Sequence, residues 1–197
     1  MRRQLLKVFQ GVLLPLLLLS PALCAGADSE LKAGVFSPAR AAPDFSLRGS
    51  DGSALKLNRY RGKVVILAFG FTACPDVCPT TLSTLAAARK KLGDRADQLQ
   101  VVYITVDPET DSPERMRKYL GSFDPSFVGG TGTAEQLAAV RQDYGIAASK
   151  KTLGSQATFS HSSFTYLIDR HGNLRALMPY GQSSDDYLHD VRILLEQ

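Results

Sequence analysis

Cys74 and Cys78 stand four residues apart in Phe69-Gly70-Phe71-Thr72-Ala73-Cys74-Pro75-Asp76-Val77-Cys78-Pro79, each followed by a proline. The C-x-x-x-C spacing is one residue longer than the C-x-x-C of many redox dithiols. The extra residue lets two thiolates converge on one soft metal ion, and it still permits a disulfide. Three chemistries are therefore open: thiol–disulfide exchange, metal ligation, or an inert structural bridge. The bridge is the weakest of them, because cross-linking so short a loop removes little chain entropy.

A metal reading asks for a third ligand, since two sulfurs leave Cu(I) under-protected and imidazole suits copper. The chain has three histidines. His171 falls in Asp169-Arg170-His171-Gly172, which reads as a solvated hairpin tip. His189 sits beside Asp186 and Asp190 in the last helical segment, where a surface role fits better. His161, in Phe159-Ser160-His161-Ser162-Ser163, precedes a core strand and could reach the cysteines. On sequence alone a structural and a ligating His161 stand level.

The elements that would carry these residues follow from periodicity. Pro43 to Leu47 and Ser53 to Leu57 flank Asp51-Gly52 and predict an N-terminal β-hairpin. Val64 to Phe69 and Leu99 to Val106 are apolar runs of the kind buried on both faces of a sheet. Helices are predicted from Pro79 to about Leu92, from Pro113 to about Phe123, from Ala134 to Tyr144, and from Asp185 to Leu195. Phe164 to Ile168 and Leu174 to Met178 read as two further strands. The alternation predicts a layered α/β domain with a mostly parallel central sheet flanked by helices. Cys74 then lies in the strand-to-helix turn after the central strand, where such sheets place their sites. A helix N-terminus there is expected to favour thiolate over thiol.

The first 27 residues read separately. Arg2, Arg3 and Lys7 precede an apolar stretch, and small residues lead to Ala25-Gly26-Ala27, the layout of a signal peptide or N-terminal membrane anchor. Cys24 offers a lipidation site, although Leu23 before it fits that poorly. Residues 28–42 are small and polar and suit a linker, leaving 43–197 as the folded domain. Without residues 1–27 the chain keeps 20 Lys+Arg against 19 Asp+Glu, so no basic face argues for nucleic acid. Such a leader marks an exported chain.

Four segments together resemble the Sco/SenC family of thioredoxin-like copper chaperones. They are Arg61-Gly62-Lys63, Gly70 to Pro79, Val106-Asp107-Pro108-Glu109-Thr110-Asp111-Ser112-Pro113-Glu114, and His161-Ser162 followed by Tyr166-Leu167-Ile168-Asp169. The resemblance runs from about Pro43 to the C-terminus. It implies a thioredoxin-like (redoxin) fold and one copper ion, Cu(I) or Cu(II), bound by Cys74, Cys78 and His161. It implies assistance to the copper A centre of cytochrome c oxidase subunit II, by copper delivery or by reduction of target cysteines. In the second case Cys74 and Cys78 would be the catalytic pair. A further periplasmic copper chaperone or a thiol reductant would be a second partner.

One departure concerns Ser160, which stands where the family commonly has an acidic residue before the ligand histidine. Two rivals are weighed by their missing prolines. A thioredoxin-type oxidoreductase carries a cis-proline before the strand facing its dithiol, and no proline occurs between Gly154 and Ile168. A peroxiredoxin needs Thr-x-x-Cys after a proline, whereas this chain has Thr72-Ala73-Cys74. The segment Asp107 to Glu114 has a plainer reading as a turn and a helix cap.

Overall fold

The computed structural model describes residues 30–153 and 156–197. The leader at 1–27, with Cys24, lies outside the described residues. Among the described residues no helix is long and apolar enough to cross a membrane.

The core strand β4 (Val64–Gly70) is buried at every position, and so is β5 (Leu99–Thr105) beside it. Such uninterrupted apolar runs belong to strands covered on both faces. The two pair in parallel over their whole length, and β5 pairs in parallel with the short β6 (Val128–Thr131). A hairpin of β2 (Ser46–Gly49) and β3 (Ala54–Lys56) adds antiparallel to the far side of β6. On the other side of β4 come β9 (Thr165–Ile168) and β10 (Asn173–Met178), both antiparallel to their neighbours.

The outermost strand is β1 (Gly34–Ala41), so the sheet order is β1-β10-β9-β4-β5-β6-β2-β3. The sheet is therefore mixed, with parallel pairing confined to β4, β5 and β6. The expectation of a mostly parallel sheet came from the βα alternation in the first half of the chain. Past His161 the strands return by a tight turn, and a tight turn makes an antiparallel pair.

β1 also corrects the linker drawn over 28–42. Its side chains are nearly all exposed, so it leaves no hydrophobic alternation to read. What holds it is backbone pairing to β10 and a clasp at its base. There the fully buried Asp190 carboxylate accepts from the backbone N–H groups of Lys32 (2.8 Å) and Ala33 (2.9 Å). The folded unit thus begins well before residue 43.

Four helices complete the layers. α1 (Val77–Lys91) buries Cys78, Leu82, Leu85 and Ala88, a stripe at helical spacing. It packs against α4 (Ser184–Glu196), whose start is fixed by a capping box between Ser183 and Asp186. α2 (Pro113–Gly121) covers β6, and α3 (Ala134–Asp143) opens with a capping box between Thr133 and Gln136. α1 begins two residues earlier than Pro79, which occupies its third position. Cys78 is consequently inside the first turn rather than before it. A separate two-stranded sheet, β7 (Ala148–Leu153) with β8 (Gln156–His161), stands apart from the main one. It ends on His161, which sequence placed in a loop.

Candidate metal centre

Antiparallel pairing of β9 with β4 is what brings the candidate ligands together. Leu67 of β4 faces Tyr166 of β9, so the chain entering β9 passes the end of β4 from which the cysteine loop departs. His161 is four residues ahead of β9. Its Nε2 lies 3.5 Å from Cys78 Sγ. Its Nδ1 lies 2.7 Å from the Ser162 carbonyl oxygen, which can only accept. Nδ1 therefore carries the proton, and Nε2 presents its lone pair to the sulfur. That carbonyl does for the ring what an acidic neighbour could have done: it sets tautomer and orientation. Ser160 itself is exposed.

The two thiols differ in setting and are not joined. Cys78 is 3% exposed and lines a narrow pocket with Tyr103, Phe164 and His161. Cys74 is half-buried and opens onto a cleft of about 210 Å³ that it shares with Phe71, Phe159 and His161. The imidazole stands between the two spaces. Phe71 and Phe159 wall the cleft with their rings 5.4 Å apart, and the His161 ring meets Phe71 edge-on at 6.1 Å.

Burial pushes the Cys74 thiol above its ordinary value. The backbone N–H groups of Asp76 and Cys78 act in the opposite direction, as a helix start should, but desolvation outweighs them. The expected net preference for thiolate at Cys74 is thus reversed in the metal-free protein.

The loop itself is pinned from the side of the second motif. Asp111 is fully buried and accepts from the Thr72 backbone N–H at 3.0 Å, the Thr72 hydroxyl at 2.5 Å and the Thr105 hydroxyl at 2.7 Å. Arg115 closes the outside by donating from Nε to Thr72 Oγ1 at 2.6 Å. Helix capping falls to Ser112, which accepts from the Arg115 backbone N–H at 3.2 Å. The plain reading of Asp107 to Glu114 as turn and cap was therefore incomplete: Asp111 reaches across to position Thr72. Its place two residues before a helix gave no sign of that reach.

Two further residues escaped sequence reasoning. Gly70 ends β4 where a side chain has no room: a Cβ would lie 2.7 Å from Cys78 Sγ. Tyr103 fills the other side of the same space, and burial drives its phenol well above the ordinary value. Asp76 is exposed at the head of α1, and its side chain makes no cap. The remaining histidines lie elsewhere. His171 is exposed in its turn, and Nδ1 of His189 is 2.9 Å from Asp190 Oδ1.

The donor set, two thiols and an imidazole of fixed tautomer, suits a soft metal. Cys78 and His161 are in contact. Among the described residues, however, no three His, Cys, Asp or Glu side chains already converge for metal binding. Cys74 shares its cleft with His161 and would have to draw closer to Cys78 and His161 for a three-coordinate site.

Comparison with known proteins agrees with this architecture. The SCO1/SenC family model matches residues 35–196. A SCO2-like protein of Rickettsia conorii is 33% identical over 132 residues, covering 66% of this chain and 64% of that protein. The structure of Bradyrhizobium japonicum ScoI with copper bound matches with a TM-score of 0.73 and 32% identity, over 79% of this chain and 99% of that one. The solution structure of apo Sco1 from Thermus thermophilus matches with a TM-score of 0.77 and 33% identity, over 86% of this chain and all of that one. By the extent of the family match and the likeness of these folds, the chain belongs to the SCO1/SenC family, with its thioredoxin-like architecture.

Proposed function

We propose that this protein is a copper metallochaperone that binds one Cu(I) or Cu(II) ion through Cys74, Cys78 and His161 and serves cytochrome c oxidase assembly. The observation that carries it is the 3.5 Å approach of His161 Nε2 to Cys78 Sγ, at the edge of a cleft that Cys74 shares. A likeness to a relative solved with copper bound supports the choice of metal. The target is the copper A domain of subunit II, whose paired cysteines offer an exchange of soft ligands. Half-exposure of Cys74 lets an incoming thiolate reach the ion from the open side, while Cys78 and His161 stay at the back. A further copper chaperone could load the site from the same opening. The setting proposed is the periplasm or the outer face of the bacterial cytoplasmic membrane, with residues 1–27 as signal or anchor.

A second reading rests on the unequal exposure of the thiols. Half-buried Cys74 can attack a target disulfide, forming a mixed disulfide and releasing one target thiolate. Buried Cys78 then displaces the second, leaving a Cys74–Cys78 disulfide and a reduced target. A thiol reductant must return the two electrons. Burial of Cys74 favours the protonated thiol and slows the first attack.

Anaerobic titration of the reduced protein with Cu(I), and separately with Cu(II), tests the proposal. One equivalent should bind, and Cys74→Ala, Cys78→Ala and His161→Ala should each weaken binding at least tenfold (about 1.4 kcal/mol). Unchanged affinity and spectrum in His161→Ala would overturn the three-ligand site. Reduction of a disulfide-bonded subunit II domain by the metal-free protein, at a rate that copper loading does not alter, would put the second reading first.

A further inference from the structure

The hydroxyl of Tyr103 has a place at this site that neither motif announces. Tyr103 lies in the middle of β5, 2% exposed, and borders the narrow pocket lined by Cys78 and His161. Its ring and the Cys78 sulfur converge on one methyl-sized space beside Gly70. A Cβ at residue 70 would come 2.8 Å from Tyr103 Cζ and 2.7 Å from Cys78 Sγ, with the hydroxyl closer still. The lack of a side chain at Gly70 is what leaves room for both phenol and sulfur there.

The alternatives open to this buried O–H are poor. Among the described residues the Tyr103 hydroxyl donates to the Phe71 carbonyl at 3.4 Å, the far end of the hydrogen-bond range. A phenol left without a good acceptor in an apolar interior is costly. A sulfur carrying negative charge is the better acceptor, and charged partners roughly double the strength of such a bond. On its opposite flank the same sulfur meets His161 Nε2.

We propose that Tyr103 is a positioning residue: its hydroxyl donates to the Cys78 sulfur, holds that sulfur against His161, and draws electron density from it when it binds metal. The proposal rests, for its metal half, on the copper reading above. Cys78 becomes the fixed arm of the dithiol and Cys74 the moving one. A thiolate that gives part of its density to a hydrogen bond donates less to copper, and weaker donation disfavours Cu(II) more than Cu(I). Tyr103 therefore biases the site toward the reduced ion.

Tyr103→Phe removes the hydroxyl and keeps the ring. In the Cu(II)-loaded protein its sulfur-to-copper charge-transfer band should move to lower energy. The preference for Cu(I) over Cu(II), read from the two affinities, should fall by roughly threefold to tenfold, the worth of one hydrogen bond. Tyr119→Phe is the control: its ring centroid is 6.5 Å from that of Tyr103, and its buried hydroxyl has no hydrogen-bond partner among the described residues. That variant should leave band and preference as they are, whatever it does to the melting temperature. A Tyr103→Phe protein with wild-type band and preference overturns the proposal.

A metal-free measurement separates this outcome from failure of the copper reading. In the reduced protein, Tyr103→Phe should shift the NMR signal of Cys78 Cβ more than that of Cys74 Cβ. If neither protein binds copper, the chaperone reading falls, and the Cβ shifts alone decide Tyr103. Equal or absent shifts then overturn it.

Discussion

Asp111 holds Thr72 by two bonds at once, accepting from its backbone N–H at 3.0 Å and from its hydroxyl at 2.5 Å. Thr72 is two residues before Cys74, so a fully buried carboxylate from the second motif sets the geometry of the first. Asp111→Ala would strand the Thr72 N–H and the Thr105 hydroxyl without an acceptor. Each stranded buried donor costs about 1–3 kcal/mol. The expected loss is roughly 2–4 kcal/mol, or a fall in melting temperature on the order of 10 °C, with weaker copper binding in the fraction that folds. Arg115→Ala removes a contact from a half-exposed guanidinium to the same hydroxyl, together with its 3.7 Å ion pair to Asp111, and should cost about 1 kcal/mol or less. Differential scanning calorimetry of both variants distinguishes them, and equal effects would show that Asp111 is not the anchor.

Two glycines make a contrasting pair. At Gly70 an added methyl meets Cys78 Sγ and the Tyr103 ring, both buried, so neither can yield cheaply. Gly70→Ala is expected to cost about 1–3 kcal/mol by overpacking and to displace Cys78, lowering copper affinity. Gly121 ends α2 with open space around its α-carbon. Gly121→Ala should be neutral or stabilising by up to about 1 kcal/mol, with affinity unchanged. Chemical denaturation followed by copper titration reads both quantities in each variant.

What the sequence disclosed and what it hid divide along physical lines. β4, β5 and the helices with apolar stripes were legible because burial imposes period and run length on them. The two cysteines and His161 were legible by chemical type. β1 was hidden because an exposed edge strand is held by its backbone, which is the same at every residue. β6 was hidden by Gly129 and Gly130, which leave room for Met116 and Leu120 on one face and Leu55 on the other. The bond from Asp111 to Thr72 spans 39 residues, a separation no local pattern records. The orienting partner of His161 is a backbone carbonyl, and no side-chain motif could have shown it.

Copper binding should strengthen as pH rises, for a reason located at Cys74. Burial raises the folded thiol above its ordinary value, so at neutral pH Cys74 is protonated and copper has to displace that proton. Its contribution to apparent Cu(I) affinity is then about tenfold per pH unit, continuing to higher pH than for an ordinary thiol. The sign for the metal-free fold is opposite. A raised pKa means the folded state holds the proton longer, so this contribution to stability is present below the unfolded thiol's pKa and lost as pH rises. Calorimetric titration in buffers of different ionisation enthalpy counts the protons released. Cys74→Ser should remove this component, and a wild-type affinity independent of pH would contradict the protonated resting thiol.

Copper binding should also be visible in the backbone of β8. That strand pairs only with β7, in a two-stranded sheet separate from the eight-stranded one, and a lone hairpin is marginal in water. The Ser162 N–H to Ala147 carbonyl bond at 3.0 Å only extends the hairpin, and its ties to the domain are side-chain contacts: the Phe159 ring 5.4 Å from that of Phe71, His161 against Cys78, and exposed Lys150 with Glu109 at 2.6 Å. Amides of Gln156–His161 should therefore exchange hydrogen faster than those of β4 and β5 in the metal-free protein. Ligation through His161 would fix the end of β8 to the start of α1, so one equivalent of Cu(I) should slow exchange in β8 while leaving β4 and β5 at their former rates. His161→Ala should abolish the slowing. If copper protects β8 equally in that variant, closure of the hairpin does not run through the imidazole.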